Sequence, residues 1–162
     1  MKKISIMKKR FLIIVCILYS SVTFAYAELM GTNDSTILNV IADKNIEIFY
    51  NKRKIPRKLK KIIKEKYDIR FRIANPSELC NKSDVVTYPF LSNRQLVFGG
   101  KKEDYCFFVY NRYGRGNATY FIFFDCNSLE LNVYGVSNKI KCLDDLIRAI
   151  LEKRYCIKDF VL

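Results

Sequence analysis

Cysteine is the residue type in this sequence with the clearest capacity for covalent chemistry. The chain contains six cysteines, and five of them follow residue 27. These five are disulfide candidates, and their odd number leaves at least one thiol free or bonded to another chain. None stands in a closely spaced pair of the kind that holds zinc, so we expect neither a metal nor a cofactor. The candidates are Cys80, Cys106, Cys126, Cys142 and Cys156.

Spacing narrows the disulfide pairings without fixing them. Cys142 and Cys156 flank a predicted helix, which would hold them about 20 Å apart, beyond the roughly 7 Å that a bridge allows. Cys106 and Cys126 are predicted to face each other across a hairpin and could be joined. Cys80 could instead pair with Cys126, Cys142 or Cys156. The alternative is that several of these residues are small buried apolar side chains.

Acid–base chemistry is poorly supported, because the chain has no histidine. Histidine is the commonest general base and proton shuttle, and we find no nucleophile or phosphate-binding motif in its place. A catalytic site would have to use carboxylates such as Asp84, Asp104, Asp125 and Glu130, but no spacing singles out a pair. We therefore expect no enzymatic activity, with a small carboxylate-based hydrolase as the remaining alternative.

A dense run of cations between residues 52 and 66 is the strongest candidate for a binding surface. Such a patch attracts an acidic protein surface, anionic lipid or nucleic acid; the alternative is the solvated face of an amphipathic helix. A second basic group is predicted at a hairpin tip, at Arg112 and Arg115. The candidate contacts in the run are Lys52, Arg53, Lys54, Arg57, Lys58, Lys60, Lys61 and Lys64.

The N-terminus has the pattern of a signal peptide. Lys2, Lys3 and residues 8–10 supply positive charge, an apolar run follows, and Ala25-Tyr26-Ala27 ends in small residues that suit cleavage before Glu28. We expect export to the periplasm or the medium, with an uncleaved membrane anchor as the alternative. The first 27 residues contain five of the 29 basic residues and none of the 16 acidic ones, which leaves a net charge of about +8 on residues 28–162.

The second half of the sequence predicts an antiparallel meander. Residues 106–110, 119–126 and 129–136 are rich in aromatic and β-branched residues, and turn residues separate them. A first turn near Gly116 would set Cys106 opposite Cys126, Phe108 opposite Phe124 and Tyr110 opposite Ile122. A second turn at Asn127-Ser128 would add Leu131 beside Phe124 and Val133 beside Ile122. Both registers give one apolar face, which comprises Phe108, Tyr110, Ile122, Phe124, Leu129, Leu131 and Val133.

Helical spacing follows the meander and also precedes it. Residues 142–154 have apolar side chains at 143, 146, 147, 150 and 151, on one helical stripe, and we expect this C-terminal helix to pack on the apolar face just described. Before the meander, residues 45–50 and 68–74 alternate like strands and enclose a helix whose first turn contains Pro56. Asn75 with Glu78 resembles another helix start, and residues 94–98 predict an edge strand.

Together these patterns predict an α+β protein. It consists of a three- to four-stranded antiparallel meander packed by a C-terminal amphipathic helix, with an N-terminal strand–helix–strand portion. Residues 28–162 are expected to form one exported domain. We expect a non-catalytic binding protein, an inhibitor or immunity-type partner of another protein, with a charge-driven envelope or polyanion-binding module as the alternative. Nucleic acid is disfavoured as a partner by export, and no small-molecule cofactor is expected.

Overall fold

The computed structural model describes residues 32–67, 71–83, 89–114, 116–137 and 139–157. The signal peptide predicted at residues 1–27 lies outside these residues. The chain divides into two compact units, residues 1–37 and 38–162, and only residues 32–37 of the first are described. The helices are α1 (Thr32–Ile41), α2 (Arg57–Tyr67) and α3 (Leu143–Leu151), with a 3-10 turn at Lys52–Lys54. The strands are β1 (Glu47–Phe49), β2 (Arg94–Lys102), β3 (Tyr105–Arg112), β4 (Ala118–Asp125), β5 (Leu131–Val136) and β6 (Tyr155–Ile157).

The strands form one antiparallel sheet in the order β1-β2-β3-β4-β5-β6, which confirms the predicted α+β class. Each strand pairs with its neighbour in the chain. The predicted β4–β5 register is confirmed, since Phe124 pairs with Leu131 and Ile122 with Val133. The β3–β4 register was predicted two residues out of place, because Cys106 pairs with Phe124 and Phe108 with Ile122. A shift of two preserves the faces, since side chains alternate with a period of two.

The predicted apolar face is buried and is covered by α2. Leu59 and Ile63 of this helix are fully buried in the same cluster as the side chains of that face. Leu129 is the exception among the residues predicted for this face. It lies in the β4–β5 turn with a φ of 63° and is 43% exposed. The side chains of the face in this cluster are Cys106, Phe108, Tyr110, Tyr120, Ile122, Phe124, Leu131 and Val133.

The opposite face of the sheet is also buried, and α3 packs against it. The core cluster under α2 contains no residue of α3, although Leu146 and Ile150 of that helix are buried. The predicted packing of a C-terminal helix on the sheet is therefore confirmed, but the face predicted for it is wrong. Both helices have one apolar stripe and both faces of the sheet are apolar, so periodicity alone does not assign them. The opposite face includes Phe98, Phe107, Val109, Phe121, Phe123 and Tyr134.

Strand β2 extends beyond the strand predicted at residues 94–98, and β3 pairs with it along one side. On the other side β1 pairs only with residues 99–101, so among the described residues the predicted edge strand at 94–98 has there only the single bridge from Gln95 to Ala74. A register shift between Leu96 and Phe98 turns these two side chains onto opposite faces. Gly99 then lies under the ring of Phe49, where an added Cβ would be 2.3 Å from the Phe49 Cζ atom. The missing side chain lets β1 and its aromatic ring approach the sheet.

The portion before the meander matches the prediction in part. Strand β1 and helix α2 are confirmed, and the helix follows Pro56 as expected. Residues 71–73 form no strand, and Ala74 makes only a single parallel bridge to Gln95. Residues 68–70 of that predicted strand lie outside the described part of the chain. Among the described residues, no helix combines the length and the apolar composition needed to cross a membrane.

Candidate functional site

A cleft of about 400 Å³ lies between the basic 3-10 turn, α2 and the loops before β2. Its cations come from three segments: Lys52 and Arg53 from the turn, Lys60 from the helix, and Arg72 from the loop. The structure thus brings part of the predicted basic run into one recess. The remaining lining is largely apolar, and it comprises Phe71, Ile73, Ala74, Leu79, Phe90 and Leu91 together with Glu78 and Ser92.

Glu78 is the only carboxylate among the described residues that line the cleft, and it holds Lys52. Its side chain also accepts hydrogen bonds from the backbone N–H and the side-chain amide of Asn75, both at 2.9 Å. The Asn75 side chain in turn accepts from the backbone N–H of Lys52 at 2.7 Å. The hydrogen bond from Lys52, followed by that from the Asn75 backbone, lowers the pKa of Glu78. Of the predicted capping contacts, Glu78 accepts from the Asn75 backbone N–H, but the Asn75 side-chain oxygen accepts from Lys52 and not from Glu78, and the segment forms a turn in place of the predicted helix.

Lys60 is a cation of the cleft whose charged form is disfavoured by its surroundings. Its ammonium donates to the backbone carbonyl of Lys52 at 3.2 Å, and it has no carboxylate partner among the described residues. Burial lowers the pKa of Lys60, and the nearby charges of Lys52 and Arg57 lower it further. An anion in the cleft would reverse this effect, because an opposite charge stabilises the protonated amine.

A buried arginine, Arg94, contacts the apolar wall of the cleft. The guanidinium of Arg94 lies 5.5 Å from the centre of the Phe71 ring, and Phe71 contacts Tyr110 edge-on at 5.6 Å. Arg94 is 9% exposed, its Nε atom has no hydrogen-bond partner among the described residues, and burial lowers its pKa. Ser92 ties the two loops of the wall together by donating to the carbonyl of Arg72 at 2.8 Å. The wall is therefore fixed in place by the sheet.

The other predicted basic residues are spread over the surface. Lys54 pairs with Glu47 at 2.9 Å, Lys61 pairs with Glu65 along α2 at 3.6 Å, and Lys58 donates to the carbonyl of Cys126 at 3.1 Å. These three cations therefore contact other parts of the protein surface and not the cleft. Arg57 and Lys64 are exposed on α2, Arg112 is half-buried on β3 opposite Arg94, and Arg115 lies outside the described residues.

The five cysteines form no disulfide in the structure. Asp104 lies opposite Cys126, whose backbone N–H donates to the Asp104 carbonyl at 2.7 Å, so Cys106 and Cys126 are diagonal neighbours and not the directly opposed pair that was predicted. Burial, followed by the proximity of Cys126, raises the pKa of Cys106 to about 12. Cys80 donates to the carbonyl of Ser92 at 2.9 Å, whereas Cys142 and Cys156 are exposed.

The carboxylates considered for catalysis have structural contacts. Asp125 accepts from the backbone N–H groups of Asn127 at 2.8 Å and Ser128 at 3.3 Å and so closes the β4–β5 turn. The hydrogen bond from Asn127 lowers the pKa of Asp125, which is opposite to the shift that a general acid needs. Glu130 accepts from the side chain of Asn132 at 3.0 Å, and Asp84 lies outside the described residues. The described residues contain no group of three or more metal-ligating side chains.

Sequence reasoning found the cations of α2 and the 3-10 turn but missed the other half of the cleft. Arg72 belongs to the segment predicted as a strand, whereas Leu79 and Phe90 lie in loops without a periodic pattern. The clustering of cations was the one sequence feature that indicated a site here. Comparison with known protein families, with curated proteins and with solved structures finds no match to this chain.

Proposed function

We propose that this chain is an exported, non-catalytic binding protein that attaches to another protein through the basic cleft. The observation that carries the proposal is the convergence of four cations from three segments on one recess that contains a single carboxylate. Charges arranged in this way attract and orient a partner of opposite sign. The apolar wall beside them supplies the surface that a protein contact buries.

Export supports an extracellular or periplasmic partner. The N-terminal pattern of positive charge, apolar run and Ala25-Tyr26-Ala27 favours cleavage before Glu28, which would place the remaining domain outside the cytoplasm. An inhibitor or an immunity-type protein would act in this way, by occupying a surface of its partner without chemistry of its own. The absence of histidine from the chain agrees with such a role.

The experiment is crosslinking and co-purification of the protein from the exported fraction of its own host, followed by charge reversal. The test variant is Arg53→Glu with Arg72→Glu, two exposed residues of the cleft. The matched control is Lys44→Glu with Lys139→Glu, two exposed lysines that change the net charge equally and do not line the cleft. We expect a stoichiometric complex that the test variant loses and the control retains.

The dependence on salt separates this proposal from the polyanion-binding alternative. A protein complex that buries apolar surface retains part of its affinity as salt rises, whereas binding to a polyanion falls steeply. Equal loss in the test variant and the control, with steep salt dependence, would favour an envelope or polyanion-binding module. A complex that both variants retain would overturn the proposal that the cleft is the binding site.

A further inference from the structure

The two halves of the cleft differ in chemistry and lie side by side. Lys52, Arg53, Lys60 and Arg72 form the cationic half, and the apolar half is formed by Phe71, Leu79, Phe90 and Leu91. A recess of about 400 Å³ falls within the range of small binding pockets, and it can hold one or two side chains of a partner. We infer that it accepts a segment of the partner protein in which a carboxylate stands next to a large apolar side chain. This inference rests on the proposed function.

The apolar half is unusually exposed for side chains of this kind. Leu79 is 82% exposed and Phe90 is 69% exposed, and both line the same cleft. Large apolar side chains that remain in water beside a recess mark binding sites more often than isolated exposed ones do. A partner's aliphatic or aromatic side chain against Leu79 and Phe90 would remove this surface from water.

The cationic half already binds one carboxylate, that of Glu78. Glu78 pairs with Lys52 and accepts hydrogen bonds from the backbone and side-chain N–H groups of Asn75. The other cations of the cleft, Lys60, Arg53 and Arg72, can bind a carboxylate of the partner. Burial and the neighbouring charges of Lys52 and Arg57 disfavour the charged form of Lys60, which donates only to the Lys52 carbonyl at 3.2 Å. A partner's carboxylate beside Lys60 would relieve this and place the adjacent side chain at the apolar wall.

Glu78 also favours a ligand with one carboxylate over a densely charged ligand. Its side chain is 41% exposed at the cleft, and it adds a negative charge where a polyphosphate or an anionic lipid surface would bring several more. Like charges at close range oppose association and so discriminate between ligands. A row of phosphates brings more negative charge near Glu78 than one carboxylate does, so we expect it to bind more weakly.

The test uses a labelled peptide, acetyl-Gln-Phe-Glu-Leu-Gln-amide, and fluorescence anisotropy with the purified protein. Two matched peptides replace the single Glu residue by Gln, or the Phe and Leu residues by Ser. We expect each replacement to weaken binding by at least about fivefold, since each removes one of the two kinds of contact. Inorganic polyphosphate and vesicles of phosphatidylcholine with phosphatidylglycerol should bind more weakly than the acidic apolar peptide.

Variants of the protein test the same assignment from the other side. Leu79→Ser with Phe90→Ser should remove the preference for the apolar peptide, whereas Leu151→Ser with Ile157→Ser, at exposed positions away from the cleft, should keep it. Glu78→Gln should strengthen binding of the acidic peptide several-fold, because it removes a repulsive charge but keeps an acceptor for Asn75.

Two outcomes would overturn the inference. The first is equal binding of all three peptides, and the second is tighter binding of polyphosphate or vesicles than of the acidic apolar peptide. If the host complex is lost on Arg53→Glu with Arg72→Glu but the peptides do not bind, the proposed function stands and this ligand class is wrong. If the host complex survives those substitutions as well, both proposals fail.

Discussion

Two leucines separated by one residue provide a sharp test of the fold. Leu129 and Leu131 have the same side chain and the same parity along the chain, and alternation alone assigns both to the buried face. The structure separates them: Leu131 is 8% exposed and pairs with Phe124 on the core face, whereas Leu129 is 43% exposed in the turn with a φ of 63°. Leu131→Ala and Leu129→Gly should therefore have very different effects on stability.

The expected magnitudes follow from these environments. A buried Leu→Ala substitution lowers the free energy of unfolding by about 2–5 kcal/mol. Leu131 belongs at the lower end of this range, about 2–3 kcal/mol, because β6 pairs with β5 only at residues 134–136 and leaves the start of β5 uncovered on that side. Leu129→Gly relieves roughly 1 kcal/mol of left-handed backbone strain and loses a similar amount of partial burial, so its net effect should be under about 1 kcal/mol.

The assay is equilibrium unfolding in urea, followed by circular dichroism because the chain has no tryptophan. Wild-type protein and both variants should give the same slope of free energy against urea, so that differences in midpoint report stability. A loss of 2 kcal/mol or more in Leu129→Gly, together with a neutral Leu131→Ala, would refute the assignment of the turn and of the core face.

Three further predictions concern close packing, thiols and acid. Gly99→Ala should lower the free energy of unfolding by about 1–3 kcal/mol in the same urea assay, because its Cβ would meet the buried Phe49 ring. Iodoacetamide should modify the exposed Cys142 and Cys156 in the native protein but reach buried Cys106, whose pKa is raised to about 12, only after unfolding, as peptide mass spectrometry would show. Hydrogen bonds from Lys102 and Lys141 lower the pKa values of Asp43 and Asp145, so their stabilisation is present above the unfolded pKa and is lost as pH falls through the folded pKa. Asp43→Asn with Asp145→Asn should therefore make the urea midpoint less sensitive to pH below about pH 4, and an unchanged pH dependence would contradict these shifts.

The alternation of side chains was enough to predict which side chains share a face of the sheet. The pairing register between β3 and β4 depended on where the turn was placed, and it was predicted less accurately. The prediction placed the β3–β4 turn near Gly116, and the pairing of Cys106 with Phe124 shows that the register lies two residues away. The error left every side chain on its predicted face, since an even shift preserves parity. It did change which cysteine lies opposite which residue, because that depends on the turn geometry and not on the pattern of the strands.

The assignment of helices to faces lay beyond sequence reasoning. Helices α2 and α3 both have a single apolar stripe, and the two faces of the sheet are equally buried. Which helix covers which face depends on the path of the chain before β2 and after β5. The cleft was missed for a similar reason, since Lys52 meets Glu78 across 26 residues and Phe90 belongs to a loop without periodicity. Contacts of this kind form only when the tertiary structure is complete.

The basic run is not one surface, and this decides how substitutions in it should be interpreted. Burial of Leu59 and Ile63 against the sheet fixes the orientation of α2 and directs Lys60 into the cleft. Lys61 instead pairs with Glu65, four residues further along the helix. Lys54 contacts Glu47 and Lys58 contacts the Cys126 carbonyl, both outside the cleft, so replacing these lysines would not test the cleft. Reversing the charge of the whole run would mix these effects. The proposed binding role of the run therefore concerns the few cations that line the cleft, and a substitution elsewhere in the run tests only net charge.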